Sequence, residues 1–193
     1  MTSQVIRSYG DFSDGAWTYF FRPSYDSQTG HFHVRYTHVG ENVRENMNEV
    51  GFIRDDDRRE VDSNIRKQFW INRYGLQDLT PSVNYNRYWS QSGELRSWEI
   101  QNRLALNFLR KWRLSLSNTE EFKAEDPGLF EKDFRNSLNQ AELTFDTRTG
   151  NSVSAYYGKG ENFDSDLERY GGRVNLKLTA DEIVGIVREI RKR

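Results

Sequence analysis

The chain has 193 residues, a formal net charge of −1, no cysteine, and 14% aromatic residues against 35% hydrophobic ones. The missing cysteines exclude disulfide staples, zinc ribbons and thiol chemistry, and interspersed, balanced charge speaks against a nucleic-acid partner. Three prolines and many aromatics are the opposite of a disordered composition, and the length fits one domain.

Residues 1–14 read as an N-terminal lead-in; Met1 to Arg7 lack the apolar core of a secretory signal. From there to residue 179 apolar and polar residues alternate, which predicts antiparallel strands with one dry and one wet side. Strands are expected near 16–23, 31–39, 57–72 and 79–91, with a long polar connection over 40–57. The clearest stretch follows: Trp98, Ile100, Leu104, Leu106 and Phe108 alternate with Glu99, Gln101, Arg103 and Asn107, and Asn102 alone interrupts the apolar side. Trp112, Leu114 and Leu116 repeat the pattern after the short link Leu109-Arg110-Lys111, so the two segments form a hairpin. Further strands are expected over 134–147, 151–163 and 168–179, separated by turns rich in Gly, Asp and Ser. Beyond them, Ile183, Ile186, Val187 and Ile190 share a helical face, which predicts a short amphipathic helix over 180–193.

The expected fold class is all-β, an up-and-down meander of about nine long strands, either an outer-membrane-type β-barrel or an open piece of one. No run of apolar residues reaches the roughly 20 of a membrane helix, a test that barrels escape because their strands carry apolar residues at alternate positions. The dry side then meets lipid or a covering layer of protein, and both readings stand at this point. Trp70, Tyr88, Trp89, Trp98 and Trp112 sit at strand ends, as in barrels with aromatic girdles; strands favour aromatics in any case. Lys67, Arg87, Asn102 and Asn139 fall among nominally dry positions and count against lipid.

No catalytic constellation, cofactor site or metal centre is read from the sequence. His31 and His33 share a strand side, with His38 beyond; a metal there needs further ligands, and polar-face residues are the better reading. Asp55-Asp56-Asp57 with Arg58-Arg59 lacks the spacing of a calcium loop. Glu120-Glu121 and Glu125-Asp126 are carboxylate pairs of the kind glycoside hydrolysis uses, in a chain where carboxylates are common. Gly158-Lys159-Gly160 lacks the rest of a phosphate loop and reads as a strand with a bulge or bend. Tyr85, Tyr88 and Trp89, with Trp98, are candidates for stacking on a sugar; packing against core or lipid is the competing reading.

The segments His38-Val39-Gly40-Glu41-Asn42, Asn48-Glu49-Val50-Gly51-Phe52-Ile53-Arg54 and Asp57-Arg58-Arg59 resemble a family of bacterial envelope proteins. Those proteins pair a carbohydrate-binding family 9-like domain with a C-terminal β-barrel domain of unknown function, and Gly40, Val50, Gly51 and Phe52 carry the likeness. Met47-Asn48 stands where the family has Asn-Pro. The resemblance implies the bacterial outer membrane, lipid as the surrounding, and a carbohydrate-related role through a partner domain. It transfers no catalytic residue. Without that domain, and ending in Arg193 rather than an aromatic, the chain reads as a barrel segment whose open edge pairs with further strands or another chain. The expected function is therefore structural, anchoring or transport. A soluble sugar- or protein-binding module is the alternative, and a membrane-associated hydrolase the third reading.

Overall fold

Strands follow the alternation almost everywhere it was legible. The computed structural model describes residues 1–10, 13–41, 43, 57–124, 133–146 and 151–177. They form β1 (Thr2–Gly10), β2 (Ser13–Arg22), β3 (Ser24–Asp26), β4 (Gly30–Val39), β5 (Arg58–Lys67), β6 (Phe69–Arg73), β7 (Leu76–Trp89), β8 (Leu95–Phe108), β9 (Trp112–Lys123), β10 (Phe134–Phe145), β11 (Ser152–Asn162) and β12 (Ser165–Asn175). The protein is an all-β, antiparallel, up-and-down open sheet, with β1 and β12 at its edges.

Two of the twelve strands are continuations of others. Pro23 has no N–H and separates β2 from β3, yet Thr18↔Val39 and Ser24↔His33 keep one register along β4. Gln68 separates β5 from β6 in the same way, with Arg66↔Ser82 and Phe69↔Leu79 in register along β7. The path across the sheet therefore has ten members, one more than the sequence suggested. The extra one is β1, inside the segment read as a lead-in. Val5-Ile6 breaks its alternation, so pairing with β2, through Val5↔Tyr19 and Arg7↔Trp17, is what reveals it. The amphipathic helix expected over 180–193 lies outside the described residues.

The two ends of the sheet differ. At one end the connections are 27–29, 74–75, 109–111 and 146–151; at the other lie 90–94 and the two longest, 40–57 and 124–133, flanked by the edge links 11–12 and 163–164. Tyr74-Gly75 (φ 54° and 80°) and Phe163-Asp164 (φ 49° and 58°) are two-residue turns with both central residues left-handed, the geometry whose twist matches that of the strands it joins. Because the path has ten members, β1 begins and β12 finishes at the same end, the one with the shorter connections.

Cross-strand partners point to the same side of a sheet, so the register sorts every paired side chain onto one of two faces. One carries Leu104↔Leu116, Leu106↔Leu114 and Phe108↔Trp112; with them go Tyr19, Phe21, Phe32, Tyr36, Ile65, Leu143 and Tyr157. The other carries Glu60, Asp62, Asn64, Asn86, Gln101, Ser115 and Asn136.

Burial runs opposite to a water-soluble sheet. Ser8, Glu60, Asp78, Ser115, Asn136 and Ser154 are buried, and all lie on the polar face beside Ala105. Val5, Phe21, Phe32, Ile65, Leu116, Val153 and Tyr157 are exposed on the apolar face. Strands contact their ladder neighbours, and among the described residues no second layer covers either face. Small polar side chains are thus the shielded ones on one face, while large apolar ones stand exposed on the other.

Candidate functional site

The polar face is wired by hydrogen bonds between ionisable groups, most densely along β4 and β5. Glu60, only 4% exposed, is the hub: it accepts from Arg58, from Asn86 Nδ2 at 2.6 Å and from Arg35 at 3.5 Å. Arg35 also lies 3.3 Å from Asp62. A carboxylate this shielded needs such partners, because burying an unpaired charge is strongly unfavourable.

From Asp62 a second line runs toward the short-turn end. His33 Nε2 is 3.3 Å from Asp62 Oδ2, His33 Nδ1 is 2.8 Å from His31 Nε2, and His31 Nδ1 is 2.5 Å from Asp26 Oδ1. Both imidazoles thus share a side, as their spacing predicts, and both are occupied by carboxylate partners. Among the described residues no group of three or more His, Asp or Glu is arranged to hold a metal ion.

Elsewhere on this face Asp78 accepts twice from Asn107 Nδ2, at 2.9 and 3.0 Å, and Arg103 Nε donates to Ser115 at 2.8 Å. Thr18 Oγ1, Arg22 Nε, Arg35 Nε and Arg58 Nε are shielded and have no protein partner among the described residues. Shielded polar atoms without a protein partner are ordinarily met by water.

The opposite face carries an apolar band that runs obliquely. One hydrogen-bonded row shows this: Phe32, Ile65 and Val83 occupy it on β4, β5 and β7, and Asn102, Asn118, Asn139, Lys159 and Glu168 continue it on β8 to β12. The adjacent row on β7 to β12 is Pro81, Leu104, Leu116, Ala141, Tyr157 and Tyr170. Asn102 and Asn139 are therefore the border of the band rather than holes in it, joined through Asn118 by amide bonds of 3.5 and 3.1 Å. Lys67 reaches Thr29 Oγ1 in the β3–β4 turn at 3.2 Å, and Arg87 lies 5.8 Å from the Trp89 ring at a strand end.

Trp98, Ile100, Leu104, Leu106, Phe108, Trp112, Leu114 and Leu116 all share the apolar face. Their strand ends are aromatic: Trp98 pairs with Phe122, and Phe108 with Trp112, whose ring is 4.8 Å from that of Phe145. Trp70 departs from this, since its pairing with Asp78 puts it on the polar face.

The sugar-stacking candidates divide. Tyr85 and Trp89 are on the apolar face, while Tyr88 pairs with Glu60 on the other, under the Arg58 guanidinium at 5.3 Å. No single platform holds all three. Glu120 and Glu121 likewise fall on opposite faces, the latter bonded to Asn136 at 3.1 Å. His38 faces away from His31 and His33 and stacks on Tyr19 at 4.6 Å.

Asp57 ties the start of β5 to the β7–β8 link, accepting from Gln91 N and Arg96 at 2.8 Å each. Asp55, Asp56, Glu125 and Asp126 lie outside the described residues, as do Val50, Gly51 and Phe52. Gly40 is described: its N–H donates to Trp17 O at 2.9 Å, and a Cβ there would stand 3.0 Å from that oxygen. Gly158-Lys159-Gly160 lies within a strand, as expected, and β11 passes through it in unbroken register with β10, with no bulge. Gly160 is needed because the β10 backbone passes so close that a side chain would overlap Ser137.

Compared with family models, with curated proteins and with solved structures, the chain matches none of them.

Proposed function

We propose that the chain is the membrane-spanning sheet of an outer-membrane-type β-barrel, non-catalytic, with the apolar band against lipid and the polar face lining an aqueous interior. The observation that carries this reading is the inverted burial, with Glu60, Asp78 and Asn136 shielded and Phe32, Ile65 and Leu116 exposed. Bacterial barrels alternate lipid-facing apolar and interior polar residues, tilt their strands by about 35–45°, and combine short turns at one end with longer loops at the other. The two sorted faces, the oblique band and the two long connections at one end support these features in that order, and the aromatic strand ends fit the girdles of such barrels.

A polar, wet, charge-lined interior suits passage or anchoring of polar solutes rather than bond chemistry. Closure brings further strands, or those of another chain, to the β1 and β12 edges, whose unpaired backbone groups hydrocarbon does not tolerate. The envelope location and the carbohydrate connection come from the likeness around Gly40 and belong to this proposal. A soluble sugar- or protein-binding module needs protein over the Leu104–Leu116 face, and Leu116 is 40% exposed.

The test is folding from urea into phosphatidylcholine vesicles. The expected result is a protease-protected, strand-rich species that migrates differently on gels with and without boiling. A monodisperse protein in buffer free of lipid and detergent, with no uptake into the vesicles, would sink the proposal.

A further inference from the structure

Two arginines on the apolar face stand apart from the charges on the other side. Arg59 and Trp89 form the last cross-strand pair of β5 and β7, and Val61 and Arg87 the pair two residues further in. Both guanidiniums approach the same indole, Arg59 at 5.9 Å and Arg87 at 5.8 Å from the ring centre. Around them is a hollow of about 470 Å³ lined by Arg59, Val61, Tyr85, Arg87, Trp89 and Gly93. Gly93 has φ +96°, and a Cβ there would have no atom within 4 Å, so that side of the hollow is open.

Among the described residues no carboxylate is paired with either arginine. On the polar face Arg35 and Arg58 meet Glu60, and Arg35 also meets Asp62. Arg59 instead donates to the backbone carbonyls of Ser90 and Gln91. Arg87 is exposed and has the Trp89 ring as its one partner among the described residues. Two nearby described carboxylates are engaged elsewhere: Glu60 points to the opposite face, and Asp57 takes Arg96 and the Gln91 amide. Two cations gathered on one ring repel each other unless an anion lies between them, and paired guanidinium forks match phosphate oxygens.

We propose that this hollow binds the phosphate-bearing headgroup of an anionic lipid. The proposal rests on the bilayer reading above and adds a specific ligand to it. The hollow sits where the band ends: Val61 and Tyr85 continue into the apolar surface, and the arginines and Trp89 stand at the strand ends, at the depth where interfacial aromatics meet headgroups. A ligand with a phosphate at one end and acyl chains at the other satisfies both halves, which a free phosphate does not.

The test uses the full chain in phosphatidylcholine nanodiscs containing a minority of phosphatidylglycerol, with lipids retained after release counted by native mass spectrometry. The wild-type chain is expected to retain phosphatidylglycerol in preference to phosphatidylcholine, and 10 mM-scale inorganic phosphate (about that level, chosen to exceed weak phosphate affinities) is expected to leave retention unchanged. Arg59→Gln and Arg87→Gln are each expected to lower retention about fivefold, the effect of one basic side chain at an anionic membrane surface. Lys111→Gln removes a cation at the opposite end of the sheet and is expected to change nothing. Equal losses from all three variants, displacement by free phosphate, or no preference in the wild type would overturn the site. Insertion into discs of phosphatidylcholine alone is scored separately for every variant, so failure of the bilayer reading shows there and failure of the site shows only in lipid retention.

Discussion

His31 Nε2 lies 2.8 Å from His33 Nδ1, and each ring turns its other nitrogen to a carboxylate, Asp26 at 2.5 Å and Asp62 at 3.3 Å. A carboxylate thus closes the line at each end. Arg22 and Arg66 act on Asp26 from β2 and β5, and Arg35 faces Asp62.

The hydrogen bond from His31 is the main cause holding the Asp26 carboxyl below the ordinary carboxylate range, and Arg22 and Arg66 act in the same direction. A carboxyl held low contributes stability that is present above its unfolded range and is lost as pH falls through the folded one. His31→Ala is expected to weaken that acid-side dependence of the unfolding free energy. A variant with the same pH dependence as the wild type contradicts the line.

Glu60 gathers two arginines and an asparagine in a shielded position. Replacing it with Ala strands Arg58, leaves Arg35 with Asp62 alone, and is expected to lower stability by about 3 kcal/mol. Glu120, exposed on the other face, gives a comparison: Glu120→Ala is expected to stay within about 0.5 kcal/mol. Urea midpoints in lipid vesicles separate the two. Equal effects would mean that Glu60 is no hub.

The glycines of β11 give a purely steric prediction. Gly160→Ala drives a methyl into the Ser137 carbonyl, with Leu138 Cα 2.8 Å away, whereas Gly158→Ala meets only side-chain atoms, of Leu138 and Arg169, at 3.3 Å. Overpacking against backbone costs about 1–3 kcal/mol, so Gly160→Ala is expected to be the more destabilising variant by that margin. Amide exchange is expected to rise along the β10–β11 ladder in Gly160→Ala and to stay unchanged in Gly158→Ala.

Much of the fold was legible because side chains alternate strand by strand. Trp98 to Phe108 and Trp112 to Leu116 fixed one hairpin and its two faces without any neighbour. The rest depends on register between strands. Asn118 and Glu120 lie on the apolar face beyond the band, so the alternation of β9 gives no sign that the strand runs on to Lys123. The same slant made Asn102 and Asn139 read as faults in an apolar stripe, since one strand cannot show that a border crosses it obliquely. The polar network was only partly foreseeable: His31 and His33 are two apart, but Asp62 reaches them through the pairing of β4 with β5. Arg59 and Trp89 are thirty positions apart in sequence and adjacent on the sheet, so local spacing held no sign of their hollow.

The most direct test of the account is a cysteine scan with nitroxide labels in phosphatidylcholine vesicles, made simple by a chain with no cysteine of its own. Single cysteines are placed along β9 at Arg113, Leu114, Ser115, Leu116 and Ser117. Labels at Leu114 and Leu116 are expected to collide with dissolved oxygen and be shielded from a water-soluble nickel chelate, while those at Arg113 and Ser117 show the reverse. Labels at Leu114 and Leu116 reached by neither probe, as under a layer of protein, or by the chelate, as in water, would contradict the assignment of that face to lipid.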